Sequence, residues 1–374
     1  MRVALVHDWL TGLRGGERVL HEHATLYPEA DLYTLVHLPG TTTDRIEALP
    51  IHTSGLSRLP GVERHYRKLL PLFPQAIERL RVQDCDLVLS SSHAVAKGIR
   101  SPRGATHLCY CFTPMRYVWD QADAYLGRGL GRALSAPLVA SLRRWDVRTS
   151  GPERVHRFIG ISETVAERIR RHYGRSAGVI YPPVDVHRFT SQPDRVEDWY
   201  LLVGGFVPYK REDVAIEAFR ALGAPLRIAG DGPTRAALER RAPPNVRFLG
   251  RVSDPELAEL YSRCRALIYP QEEDFGIVPV EAQAAGRPVI AYGAGGATET
   301  VVPLKDPRGR APTGIWFTPQ TPAGLAGAVH QFEDARAAFD PNAIRAHAAA
   351  FSADRYRSEM SAAVDEALTC GPVP

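Results

Sequence analysis

The stretch Gln271–Val301 reads QEEDFGIVPVEAQAAGRPVIAYGAGGATETV, and it follows RALIYP, a short apolar run. Seven residues separate Glu273 from Glu281, with Phe275, Gly276 and Ile277 between them. Pro279 is well placed to open a helix. Gly276 allows close backbone approach, so the free amides of the loop and first helical turn converge on a spot that suits a pyrophosphate or sugar hydroxyls. A carboxylate on each side can accept hydrogen bonds from hydroxyls, one from a ribose and one from a hexose. For an isolated pair the plainer reading is that Glu281 complements a helix dipole and Glu273 is a solvated loop residue. The whole run shifts the balance toward a ligand: strand, acidic loop, glycine, proline, glutamate, helix, then Ala-Ala-Gly-Arg-Pro and the pair Gly295–Gly296.

Working outward, the same alternation fills the C-terminal half. WYLLVGG, PLRIAG, NVRFLG, RALIYP and PVIAYG predict strands, and REDVAIEAFRALG, TRAALERRA and PELAELYSRC predict helices. In the N-terminal half, Arg2–Val6, DLVLSSS, THLCYCF and RFIGIS are short apolar runs of the kind a parallel sheet buries on both faces. After RFIGIS, Ser162 caps a helix, Val165, Ile169 and Tyr173 share one face, and Gly174 stops it. Prolines, charges and a lost period mark Tyr181–Trp199 as a linker, and Pro341–Leu368 predicts helix. The expected architecture is α/β, with two doubly wound domains facing a central cleft. Its divisions are 1–190, 191–345 and a C-terminal helical segment, 346–374, that packs back toward the first domain.

Composition agrees with this and excludes other classes. A chain of 374 residues exceeds what one core usually serves. A net charge of +4 tolerates phosphate-bearing ligands without calling for nucleic acid. The five cysteines, Cys85, Cys109, Cys111, Cys264 and Cys370, are odd in number and point to a reducing compartment rather than a disulfide framework. Cys109 and Cys111 lack the second ligand pair of a zinc site. The N-terminal MRVALVHDWL reads as a strand rather than a signal peptide, and no apolar window is long enough to span a membrane.

Eight runs taken together carry a family resemblance: the Gln271–Val301 stretch with its closing GGATETV, VALVHDWLTGLRGGERVL, SSSHAVAKG, CYCFTPMRYVWD, VIYPPVDVHRF, VPYKREDVAIEAF, AGDGP and FLGRVSD. The sequence resembles the retaining glycosyltransferases of the GT4 family, which have the GT-B fold of two Rossmann-like domains. It looks most like bacterial members that build polysaccharide or lipopolysaccharide, often with mannosyl activity. The resemblance implies that Glu281 binds the donor ribose and Glu273 the transferred sugar, with Phe275, Gly276 and Ile277 beside it. Lys210, helped by Arg211, would neutralise the departing diphosphate. Gly15 and Gly16 would approach the phosphates, Val252 the base, and Thr298 and Glu299 the sugar or phosphate. Lys210 also has a physical case of its own: bond breaking builds charge on the diphosphate, and a cation placed there favours the transition state over the ground state.

Two positions depart from the family. Gly205 stands where arginine is common, and Phe112 where a histidine commonly meets the transferred sugar. His7 and His93, each just after an apolar run, are acceptor-side candidates better placed to reach the cleft, and a satisfied structural histidine is the plainer reading of either. On the acceptor side, Arg64, Arg67, Lys68 and Arg116 are candidates for a polyprenyl diphosphate. In Tyr125–Arg148, Leu134, Leu138 and Leu142 share a helical face near Arg132, Arg143, Arg144 and Arg148. That face can turn to the core or lie on an anionic membrane. The expected function is retaining transfer of a hexose from a nucleoside-diphosphate sugar, GDP-mannose first, to a glycan or lipid-linked acceptor. The expected setting is the cytoplasm, with peripheral contact on the inner face of the cytoplasmic membrane, and no cofactor or metal is expected. The alternatives are a UDP-sugar transferase or a nucleotide-sugar-binding protein with weakened catalysis.

Overall fold

The structure is a computed structural model that describes residues 1–119, 130–189 and 196–370, with the side chains of 130–135 and 370 set aside. The chain forms two compact units: Met1–Pro183 with Tyr356–Pro374, and Val184–Arg355.

Unit 1 is built on seven strands: β1 (Val3–His7), β2 (Asp31–Thr34), β3 (Ile51–Thr53), β4 (Leu87–Ser92), β5 (Thr106–Cys111), β6 (Arg157–Gly160) and β7 (Ala177–Val179). They pair in parallel in the order β3-β2-β1-β4-β5-β6-β7. The four runs read from the sequence are β1, β4, β5 and β6. The other three are only three or four residues long; β2 and β3 carry polar residues, and β7 is the brief run Ala-Gly-Val, so none stands out as an apolar run. Central strands β1 and β4 are buried along their whole length, as helices on both faces require. The helix Glu163–Tyr173 has the expected ends: Ser162 Oγ accepts from Val165 N, and Gly174 is left-handed at φ 66°.

Unit 2 holds β8 (Tyr200–Val203), β9 (Leu226–Ala229), β10 (Val246–Gly250), β11 (Leu267–Tyr269), β12 (Val289–Tyr292) and β13 (Gly314–Phe317), in the order β10-β9-β8-β11-β12-β13. Leu202, Ile228, Ile268, Ile290 and Ile315 line one side of this sheet and meet Phe219 and Phe332 in its core. The linker expected over Tyr181–Trp199 is partly built into unit 2. Val184 bridges Ser352, and Phe189 packs edge-on against Tyr261 at 5.4 Å, because Val184, Val186 and Phe189 supply apolar anchors between the charges. Residues 190–195 of that stretch lie outside the described residues.

The closing segment forms two helices, Pro341–Ala349 and Ala353–Cys370. From Tyr356 onward the second belongs to unit 1, where Tyr356 meets His23 (O···Nε2 2.6 Å) and Arg357 pairs with Glu22. In the expected basic stretch, residues 125–129 and the side chains of Arg132 and Leu134 lie outside the described residues. Along the rest of the helix Leu130–Arg148, Leu142 is buried and Leu138 is exposed. Arg143 bonds the Val118 carbonyl, and Arg148 pairs with Glu78. Among the described residues no helix is long and apolar enough to cross a membrane.

In both units the strand order reverses at one place, between β1 and β4 and between β8 and β11. Open parallel sheets bind ligands at the carboxyl ends of such switch points.

Candidate functional site

At the unit 2 switch point two loops meet. The loop after β8 runs through Gly204 and Gly205 into the turn Pro208–Lys210, and the loop after β11 carries Glu273. Lys210 Nζ donates to Glu273 Oε1, and the Tyr269 hydroxyl donates to Glu273 Oε2 at 2.9 Å. Burial works to lower the Lys210 pKa, but Glu273, together with Tyr209 and Glu212, outweighs it and holds the ammonium above its ordinary value. Burial, reinforced by Glu273, pushes the Tyr269 phenol well up. Lys210 therefore stays charged, and the Tyr269 phenol keeps its proton to donate.

Arg211 is the only non-glycine with positive φ (56°) among the described residues, a conformation that costs a residue with a Cβ about 1–2 kcal/mol. Its guanidinium is held by Asp213 and by Gln320 Oε1 at 3.0 Å, and Gln320 Nε2 in turn donates to the Pro270 carbonyl at 2.8 Å. This chain ties the lysine loop to the glutamate loop. Glu212, which opens the helix Glu212–Leu222, is buried with Oε1 unpartnered. Burial raises its carboxyl from the ordinary 4.5 to about 7.

The helix after the glutamate loop starts at Ile277, two residues before the expected proline, because left-handed Gly276 (φ 86°) turns the chain into it. A Cβ on Gly276 would sit 2.7 Å from the Tyr269 oxygen. Glu281 lies in this helix, and its Oε2 accepts from the fully buried Tyr261 hydroxyl at 3.0 Å. Gly296 presses on the same loop: its N–H donates to the Glu273 carbonyl at 2.8 Å, and a Cβ there would lie 2.3 Å from Phe275 Cα. Only glycine fits so close an approach. Thr298 and Glu299 follow in the short helix Ala297–Thr300, with Thr298 Oγ1 bonded to the Gly295 carbonyl. Val252 lines a separate cavity of about 320 Å³ with Trp199, Arg227, Leu249 and Leu260.

At the unit 1 switch point, Asp8 follows β1 and His93 follows β4. The fully buried Asp8 carboxylate accepts backbone N–H groups from His93, Ala94, Val95 and Ala96 at 2.7–3.0 Å, and His93 Nδ1 lies 3.0 Å from Oδ2. Burial alone would raise this carboxyl; the His93 ring and amide reverse that and hold it well below the usual range. His7 is not beside β1 but is its last residue, buried, with Nδ1 unpartnered and its pKa lowered by burial. Gly15 and Gly16 open the helix Gly15–Leu26, and Gly16 lies against the His7 and Phe112 rings. Arg64, Arg67 and Lys68 are exposed on the helical turns Val62–His65 and Tyr66–Leu72, while Arg116 is half-buried after β5.

The structure thus gathers Lys210, Glu273, Phe275 and Gly276 in unit 2, and His7, His93, Gly16 and Phe112 in unit 1. Sequence reasoning missed Tyr261, Tyr269, Gln320 and Asp8. The tyrosines read as strand or helix apolar residues, and only Asp8, a charge directly after an apolar strand, left a visible signal.

The fold is the two-domain α/β GT-B fold. The Anabaena protein HepE, solved in complex with UDP-glucose, superposes with a TM-score of 0.70 at 17% identity, covering 98% of this chain and 100% of that one. Within this fold, residues 185–348 match the family model of glycosyl transferases group 1, a span that falls inside unit 2. The chain is 31% identical over 151 residues to the uncharacterized glycosyltransferase MJ1178 of Methanocaldococcus jannaschii, covering 39% of this chain and 42% of that protein. It is 30% identical over 112 residues to O-antigen chain mannosyltransferase C of Escherichia coli, covering 28% and 30%. The chain spans about half or less of the length of the first curated relatives it matches.

Proposed function

We propose that this chain transfers a hexose, mannose from GDP-mannose, to a glycan or polyprenyl-diphosphate-linked acceptor with retention of configuration. The observation that carries this reading is the Lys210–Glu273–Tyr269 cluster at the unit 2 switch point. Both charged members sit on loops, and a polar ligand can replace their mutual contact. An incoming diphosphate takes the Lys210 ammonium, and a sugar hydroxyl takes the Glu273 oxygen that the lysine vacates. As the sugar–phosphate bond breaks, charge grows on the diphosphate beside a cation already in place, so the transition state gains more than the bound donor does. Glu281, steadied by Tyr261, accepts the ribose hydroxyls. The likeness to glycosyl transferases group 1 over this unit supports the class of reaction, and the likeness to an O-antigen mannosyltransferase supports the choice of sugar. The leaving phosphate takes the acceptor proton, and no metal takes part.

The test is a binding and turnover assay with GDP-mannose and UDP-glucose. A donor at about 100 times its dissociation constant adds roughly 2.7 kcal/mol of stability, which raises the melting temperature measurably. Lys210→Met, which keeps the stem and removes the charge, should lower turnover by about 10²–10³-fold. The rate should be unchanged by a chelator, and the product anomer should match the donor. Turnover that survives Lys210→Met, or that vanishes with chelator and returns with manganese, removes this mechanism.

A further inference from the structure

We propose that His93 is a sugar-hydroxyl-binding residue of this chain, its ring aimed by Asp8 so that Nε2 accepts a hydrogen bond at the unit 1 switch point. The inference rests on the transferase reading above and gives unit 1 a specific part in it.

Four observations converge. First, His93 directly follows β4 and Asp8 directly follows β1, so both stand where the order β3-β2-β1-β4 reverses, the place at which open parallel sheets take ligands. Second, the Asp8 carboxylate is immobilised by four backbone N–H groups, and its Oδ2 meets His93 Nδ1 at 3.0 Å. In the neutral ring this contact puts the proton on Nδ1, which leaves the Nε2 lone pair free to accept. Third, Trp9 packs edge-on against the imidazole, with centroids 4.5 Å apart at 82°, so rotation is blocked as well. Fourth, Nε2 has no hydrogen-bond partner among the described residues, and the side chain keeps 28% of its exposure while Asp8 has none. A ring fixed at two points, with its one remaining polar atom open, is preorganised for a ligand O–H.

The neighbours narrow the ligand. The His7 and Phe112 rings lie 6.5 and 6.2 Å from the His93 ring, and Gly16 presents backbone without a side chain against both. Asp8 is spent on its amides, and the Glu17 carboxylate, which acts on His7, accepts from the Arg14 N–H. A nitrogen lone pair above aromatic edges suits a hydroxyl of a sugar rather than a phosphate oxygen, which has no proton to give at neutral pH. The hydroxyl belongs either to the transferred hexose or to the acceptor. Asp8 is a positioning residue in this scheme, since it acts through the ring.

The experiment uses the full chain, as wild type, His93→Ala and His93→Gln. Affinities for GDP, GDP-mannose, UDP and UDP-glucose are measured by calorimetry. Nucleotide release from each sugar donor is followed with and without methyl α-mannoside as acceptor, and folding is checked by thermal melting. If His93 holds the transferred hexose, His93→Ala weakens the sugar nucleotide by roughly tenfold while the bare nucleotide binds as before. If it holds the acceptor, donor affinity is unchanged and only the acceptor-stimulated release falls. Either result supports the proposal. His93→Gln, which keeps an acceptor oxygen, should lie between wild type and His93→Ala, and it carries the test should the alanine variant fail to fold. A structural role alone would lower the melting temperature and leave the ratio of sugar-nucleotide to nucleotide affinity, and the acceptor stimulation, untouched; that result overturns the proposal. A wild-type chain that binds neither sugar donor overturns the transferase reading, and this inference with it.

Discussion

The two switch points are built on the same strand order yet treat their carboxylates in opposite ways. In unit 2, Glu273 is satisfied by side chains, Lys210 and Tyr269, and stays partly accessible. In unit 1, Asp8 is satisfied by four backbone amides and is wholly buried. A carboxylate held by a flexible lysine can exchange partners with a ligand at little cost, because solvent and ligand oxygens replace one charged contact with another. A carboxylate held by main-chain amides cannot, because every bond it loses strands a buried donor. Unit 2 therefore keeps its ionisable groups exchangeable, whereas unit 1 uses its carboxylate as a scaffold for the imidazole attached to it.

The hardest blow to this contrast is Asp8→Asn. Oδ1 accepts from Val95 and Ala96, and Oδ2 from His93 and Ala94. An amide NH₂ in either place faces two donors. The expected loss is about 2–4 kcal/mol of unit 1 stability, read by denaturant melting. A variant as stable as the wild type would mean that the carboxylate is as replaceable as Glu273.

Glu212→Gln sharpens the unit 2 side. Its carboxyl titrates near 4.5 when unfolded and at about 7 in the fold, chiefly because of burial. The folded state therefore holds the extra proton between those values. Stability from this group is full below about pH 4.5, falls as pH rises toward 7, and stays low above it. Removing the carboxyl should raise stability at pH 8 by about 1–2 kcal/mol and flatten that part of the pH profile. Chemical denaturation at pH 5 and pH 8 measures both. An unchanged slope between the two would place the titration elsewhere.

The smallest effect is expected from Tyr269→Phe. The loss of one hydroxyl that steadies Glu273 should cost about 1 kcal/mol in donor affinity, roughly fivefold, with folding little changed because the ring remains. An effect much larger than this would make the phenol part of the fixed scaffold, like the amides around Asp8.

Much of this was legible in the sequence. Periodicity marked β1, β4, β5 and β6 and most of unit 2, because apolar runs and helix caps are local signals. It missed β2 and β3, whose few residues include polar ones, and β7 and β13, brief runs that nothing local sets apart from their flanking loops. The glycine–glutamate run located the loop after β11, since close backbone approach requires glycine at 276 and 296 whatever lies elsewhere. The partners of that loop were not legible. Tyr261, Tyr269 and Gln320 act through contacts 4 to 109 positions away in the chain, and nothing in their local pattern separates a bonded hydroxyl from a buried ring.

By itself, then, the sequence determined two α/β units, the glycine-hinged loop with its paired glutamates, and the cation of Lys210. These depend on residue type and short-range spacing, which chain chemistry dictates directly. Only the tertiary structure decided which charge meets which: that Lys210 rests on Glu273, that Tyr261 and Tyr269 each hold one glutamate, and that Asp8 fixes His93. Those choices come from the register of parallel strands, which brings the ends of segments distant in the chain to one edge of a sheet.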